Sequence, residues 1–71
     1  MKRKRSIIPK APVARILFNA GAKRVSDDAV DELALFLTQS ALKISAKAIE
    51  MTKHGRRKTI NSDDIRLAFK G

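Results

Sequence analysis

Residues 26–55 read SDDAVDELALFLTQSALKISAKAIEMTKHG, and this stretch decides the architecture. Ser26 is an N-cap residue type. Asp27 and Asp28 follow it in a first helical turn, where carboxylates favour the positive end of the helix dipole. Val30, Leu33, Leu37, Ala41, Ile44, Ala48 and Met51 then recur at steps of three and four, one stripe of a helix. Leu35, Leu42 and Ile49, spaced by seven, form a second stripe on another side of the cylinder. Glu32, Gln39, Lys43 and Glu50 supply a polar arc between the stripes. Lys53 and His54 suit the negative end, and Gly55 is the residue type expected at C′. The spacing predicts one helix from Asp27 to about Lys53, roughly 40 Å long at ~1.5 Å per residue.

Outward from this helix the chain shortens its elements. Pro12 suits a first helical turn, where its missing N–H is no loss. Val13, Ile16, Leu17 and Ala20 follow on one apolar face, and Gly21 is a good left-handed stop. On the other side, Asn61 is placed to cap a third helix, with Asp64 in the capping-box position and Ile65, Ala68 and Phe69 as its apolar face. No segment alternates apolar and polar residues over a strand-like length. The expected fold is all-α, short–long–short.

Such a fold is incomplete as a monomer. A compact globule of 71 residues is roughly 28 Å across, less than the long helix. Two short helices cannot cover both of its apolar stripes. A second copy crossing the long helix covers them, and domains of this size often need that help. An obligate homodimer follows.

The net charge is +9, from sixteen Lys and Arg against seven Asp and Glu, which makes nucleic acid the default partner. The charge is unevenly spread. Residues 1–26 carry eight basic side chains and no acid, and residues 27–50 carry five acids against two bases. The bases cluster at Lys2–Arg5, at Lys23-Arg24 and from Lys53 to Lys58. With no cysteine and one histidine, no metal site and no cofactor is expected. The longest uncharged run, Leu33–Leu42, is too short for a membrane span, and Met1–Ser6 lacks the apolar run of a secretory signal. No nucleophile–base pair or glycine-rich phosphate loop is present, so no enzyme is expected.

Four segments carry a resemblance. Pro12-Val13-Ala14-Arg15-Ile16, Ala20 through Ala29 (AGAKRVSDDA), His54 through Ile60 (HGRRKTI) and Asp63-Asp64-Ile65 resemble the archaeal histones, in order and in spacing, over about residues 8–69. The resemblance implies the histone fold as a handshake homodimer, in which the long helices cross and the first loop of one chain lies beside the second loop of the other. It also implies wrapping of double-stranded DNA without sequence specificity, in the cytoplasm and associated with the chromosome (nucleoid). Higher oligomers, and a paralogous histone as a further candidate partner, come with it. Arg24 resembles the arginine that enters the minor groove, and Thr59 the threonine that positions it. Lys58 resembles a phosphate contact and Arg15 the first-helix contact between paired loops. Lys23 sits where several relatives carry an acid and so adds a contact. Arg57 and Asp64 resemble a buried salt bridge pinning the second loop to the third helix. Met51, His54, Asp64 and Leu67 fall where dimers meet dimers, and Gly21 where DNA turns stack in layers. Three positions depart from the pattern: the basic extension Met1–Ile7, ahead of a histone-fold domain over 8–71; Leu35 and Leu42, where polar residues are expected; and Lys10, in place of an apolar residue.

Each reading has a plainer rival. Arg56, Arg57 and Lys58 would also serve as a helix-end charge cluster, so Arg57 is assigned to structure, Lys58 to DNA, and Arg56 is grouped with DNA while both readings stay open. His54 alone is a helix-end cation, and Met51 alone is core filler. Lys2–Arg5 alone is a solubilising tail. For the whole chain, the rival to a DNA-wrapping protein is a histone-fold component of a transcription or assembly complex. Such a component need not keep Arg15, Arg24, Lys58 and Thr59 together. A helix–turn–helix regulator fits less well, because the third helix offers chiefly Arg66 for reading bases.

Overall fold

The computed structural model describes residues 7–71, so the basic stretch Lys2–Arg5 and most of the expected 1–7 tail lie outside the described residues. Three helices follow in order, α1 (Lys10–Asn19), α2 (Asp27–His54) and α3 (Ser62–Lys70), with no strand among the described residues. The short–long–short order matches the periodicity of the sequence. Helix α1 starts at Lys10 behind an extended Pro9, so Pro12 occupies its third position, still inside the turn whose N–H groups have no helical partner. Helix α2 has 28 residues and is therefore about 42 Å long.

The chain divides into two packing units, Met1–Gln39 and Ser40–Gly71, with the boundary inside α2. In the first unit Val13 is wholly buried against Val30 and Ala34. Ile8, Ala14, Leu17, Val25, Leu33 and Leu37 are half-buried around them. In the second unit the buried residues are Ala48 and Thr52 on α2 and Asp64 and Ala68 on α3. The predicted main stripe of α2 is thus mostly buried or half-buried, with Ala41 the exposed exception.

Two buried threonines sit within that helix. Thr38 Oγ1 donates to the Ala34 carbonyl at 2.8 Å, and Thr52 Oγ1 donates to the Ala48 carbonyl at 2.9 Å. These bonds to the preceding turn let a hydroxyl lie in an apolar face without an unsatisfied donor.

The third helix corrects the sequence reading. Asp64 and Ala68 face the interior, whereas Ile65 is largely exposed and Phe69 is 74% exposed. The acid is drawn inward because the loop before it supplies a cation and an amide for its oxygens. Phe69 and Ile65 are left for another surface to cover.

Those side chains are part of a wider pattern. No side chain larger than valine is fully buried, while Ile16, Phe18, Phe36, Leu42, Ile49, Leu67 and Phe69 are all exposed. The second stripe divides: Leu35 is half-buried, Leu42 and Ile49 exposed. Each buried aliphatic side chain stabilises by only about 1.5–3 kcal/mol. A core built from two valines and three alanines is small for a chain of this length.

Candidate nucleic-acid interface

The basic residues singled out by the sequence lie on α1 and on two loops, residues 20–26 and 55–61. In the first loop α1 closes with a Schellman pair of bonds. The Ala22 N–H donates to the Leu17 carbonyl at 3.1 Å, and the Gly21 N–H donates to the Phe18 carbonyl at 3.0 Å. Gly21 takes φ +117°, a conformation that L side chains rarely adopt, although the space around it is open. Val25 then turns into the core, and Ser26 Oγ accepts the Ala29 N–H at 3.2 Å, capping α2. Lys23 and Arg24 are left exposed between these anchors. Arg24 lines a shallow groove with Leu17, Ala22, Val25, Ser26 and Ala29. Arg15 is exposed on α1 in the same unit.

The second loop begins in the same way, with a different residue in the strained position. The Arg57 N–H donates to the Thr52 carbonyl at 3.0 Å and the Arg56 N–H to the Lys53 carbonyl at 2.9 Å. These bonds make Gly55 the C-cap and put Arg56, not Gly55, at C′ with φ +56°. Gly55 has a different use. A Cβ there would stand 3.1 Å from Arg57 Nε, so its absence gives the guanidinium room beside the backbone.

Arg57 reaches Asp64 with both of its terminal nitrogens. Nη2 donates to Oδ1 at 2.7 Å and Nη1 donates to Oδ2 at 3.0 Å, a bidentate pair. Oδ2 also accepts the Asn61 N–H at 3.0 Å and the Thr52 hydroxyl at 3.3 Å. Asn61 Oδ1 in turn accepts the Asp64 N–H at 3.3 Å, which completes a capping box with aspartate at N3. The pair is buried at one end only: the side chain of Asp64 is 7% exposed and that of Arg57 is 41% exposed. The Arg57 guanidinium and the Asn61 amide hold the Asp64 carboxyl down to about 2, against the opposing effect of burial. The same carboxylate pushes the Arg57 guanidinium up.

The cations therefore sort into two kinds. Arg57, Lys10 and Arg66 are paired, with Asp64, Asp31 and Asp63 respectively. Arg15, Lys23, Arg24, Arg56 and Lys58 are exposed, and no side-chain bond holds them among the described residues. Thr59 is exposed, and its carbonyl accepts a long 3.4 Å bond from Arg57 Nη1. Of the four residues expected at contacts between dimers, His54 and Leu67 are exposed, Met51 is half-buried and Asp64 is turned inward. Sequence reading overlooked Thr52 and Gly55. Their signals were a hydroxyl inside an apolar stripe and a glycine two residues before the paired arginine.

No group of three or more His, Cys, Asp or Glu among the described residues is placed to hold a metal. No helix among them is long and apolar enough to cross a membrane.

Residues 6–69 match the family of histone-like transcription factors (CBF/NF-Y) and archaeal histones. The chain is similar to the archaeal histone HAN1 of Thermococcus zilligii, with 44% identity over 63 residues, 89% of this chain and 94% of that protein. It is also similar to probable archaeal histone 3 of Methanocaldococcus jannaschii, with 42% identity over 64 residues, 90% of this chain and 96% of that protein. With three helices in short–long–short order and a match over nearly its whole length, the chain belongs to the histone-like transcription factor (CBF/NF-Y) and archaeal histone family, and its fold is the histone fold.

Proposed function

We propose that this chain is an architectural chromatin protein, not an enzyme, that pairs as a handshake homodimer and wraps double-stranded DNA without reading its sequence. The observation that carries this is the sorting of cations: Arg57 is consumed by Asp64, while Arg15, Lys23, Arg24 and Lys58 stand exposed and unpaired among the described residues. Free guanidinium and ammonium groups on loops and a helix face bind phosphate by displacing counterions, a term blind to sequence. Arg24 is the minor-groove residue in this reading, with Thr59 of the opposite protomer holding its direction.

The homodimer is supported by the exposed Phe36, Leu42, Ile49 and Phe69, which a second copy covers. Exposed His54 and Leu67, with Met51, then join dimers end to end into larger assemblies, and Gly21 leaves room for layers to stack. Asp64 contributes to that contact as the brace of the loop. A paralogous histone with the same handshake face is a second partner, and chromosome association in the cytoplasm follows from the DNA partner.

Nuclease digestion of long DNA loaded with the protein tests the reading. The expected result is a ladder of protected lengths that grows by one dimer footprint per step. Digestion to completion, or one protected length at every loading, overturns the wrapping assembly.

A further inference from the structure

Arg56 stands where the loop geometry favours glycine. At φ +56° its Cβ crowds the following carbonyl, a penalty that Gly21 avoids at the equivalent place in the first loop. Exchanging residues 55 and 56 would relieve the backbone. The structure explains why Gly55 stays put: the Arg57 guanidinium, clasped to Asp64, occupies the space a Cβ would need. It does not explain by backbone preference why position 56 is arginine. Asparagine and aspartate tolerate the left-handed region better. Packing does not explain it either, because Arg56 is exposed and no side-chain bond holds it among the described residues. The backbone beneath it, by contrast, is fixed by three hydrogen bonds of 2.9–3.1 Å from residues 55–57 back to α2.

We propose that Arg56 is a phosphate anchor for double-stranded DNA, an added contact that the second loop retains against its backbone penalty. The proposal rests on the loops being the DNA interface and deepens that reading. With Arg57 withdrawn to Asp64, the loop presents Arg56 and Lys58 as its free cations. Arg56 supplies the flat donor fork that grips a phosphate through two oxygens, where Lys58 supplies a point charge. The fixed backbone reduces the ordering that binding requires.

Stability and binding then move in opposite directions when Arg56 is replaced. The test compares the full-length parent with Arg56→Gly, Arg56→Lys, Lys58→Ala and Arg24→Ala, each assayed for thermal unfolding and for binding to one random-sequence duplex across a salt series. Arg56→Gly should melt a few degrees higher than the parent and bind less tightly. Its affinity loss between about 50 and 200 mM salt should be ~3-fold smaller than the parent's for one contact removed, and ~12-fold smaller if both protomers lose one. Arg56→Lys should keep the parent's salt slope. If Arg56→Gly binds with the parent's affinity and slope while Lys58→Ala weakens binding, Arg56 is only a solvated charge and the interface stands without it. If Arg24→Ala and Lys58→Ala also bind as the parent does, the loops are not the interface and the anchor falls with that reading. An Arg56→Gly protein that melts no higher than the parent overturns the backbone penalty.

Discussion

The loops over residues 20–26 and 55–61 are built to one plan and held by different forces. Each has seven residues, opens with the same pair of helix-closing bonds and ends in a polar N-cap, Ser26 in one and Asn61 in the other. Each offers free cations near its middle. The first is anchored by a glycine at its left-handed position and by Val25 packed into an apolar core. The second has an arginine at that position and is anchored by Arg57, Thr52 and Asn61 converging on the Asp64 carboxylate. An apolar anchor is indifferent to pH. A carboxylate anchor is not, and it ties the shape of the loop to a single side chain. The chain thus holds one surface by burial and the other by charge, and the two should fail under different conditions.

The largest effect should come from removing the hub of the second loop. Asp64→Ala leaves the Asn61 amide and the Thr52 hydroxyl without one acceptor each, and Arg57 without its partner. A buried polar donor stripped of its acceptor loses its full hydration and gains nothing in return. We expect a larger fall in melting temperature than from any change to a loop glycine or a free cation. Amide exchange should quicken over residues 55–65 before it quickens over 20–30. Equal protection of both loops in this variant would show that the carboxylate is not what distinguishes them.

Acid should reproduce that failure in the unmodified protein. The Asp64 carboxyl titrates at about 2 in the folded chain, below its ordinary value near 3.8. A depressed acid contributes stability that is fully present above the unfolded value and is lost as pH falls through the folded one. The melting temperature of the parent should therefore decline between about pH 4 and pH 2, and this decline should be much flatter in Asp64→Asn, which starts lower. The same slope in both proteins would assign the acid sensitivity to other carboxylates.

The glycine of the first loop predicts a smaller loss. A Cβ on Gly21 meets nothing within 4 Å, so Gly21→Ala isolates the conformational penalty of φ +117° from any clash. A destabilisation of about 1–2 kcal/mol is expected, opposite in sign to Arg56→Gly. Chemical denaturation at a fixed protein concentration measures both. If the two changes share a sign, the left-handed position is not equivalent in the two loops.

How much of this was legible in the sequence depends on what sets each feature. The helices were, because their signals are local: Ser26 and Asn61 cap where they were expected to, and the three-and-four spacing from Val30 to Met51 follows a buried or half-buried line except at Ala41. The closing of α2 was misassigned by one residue. A glycine preference marks where φ is unusual, and it says nothing of a glycine needed for room, which is how Gly55 serves Arg57. The inward face of α3 was also misassigned, because periodicity ranks Phe69 above Asp64, and only a bidentate partner seven residues away reverses that order. The loop cations were readable as a cluster. Which of them is paired depends on the position of an acid in space, as Arg57 and Arg56 show side by side.

The smallest effect separates the two ion pairs themselves, one in each half of the chain. Lys10 Nζ lies 2.9 Å from Asp31 Oδ1, nearly the separation found between Arg57 and Asp64. Distance alone would rank the pairs together. Their surroundings do not: both partners of the first pair are about half exposed or more, and the contact is a single bond from a flexible ammonium. Water screens such a pair, and holding two long side chains in one geometry offsets most of what attraction remains. The Asp31 carboxylate still raises the pKa of Lys10 by hydrogen bonding and by charge, so whatever the pair contributes is present at neutral pH and disappears only in strong alkali. Lys10→Gln keeps the length of the side chain and removes the charge. It should shift the melting temperature by about a degree or less, and that shift should vanish as salt is raised toward ~1 M. A loss comparable to that of Asp64→Ala would mean that the first unit also depends on charge, and that the contrast between the loops is one of degree.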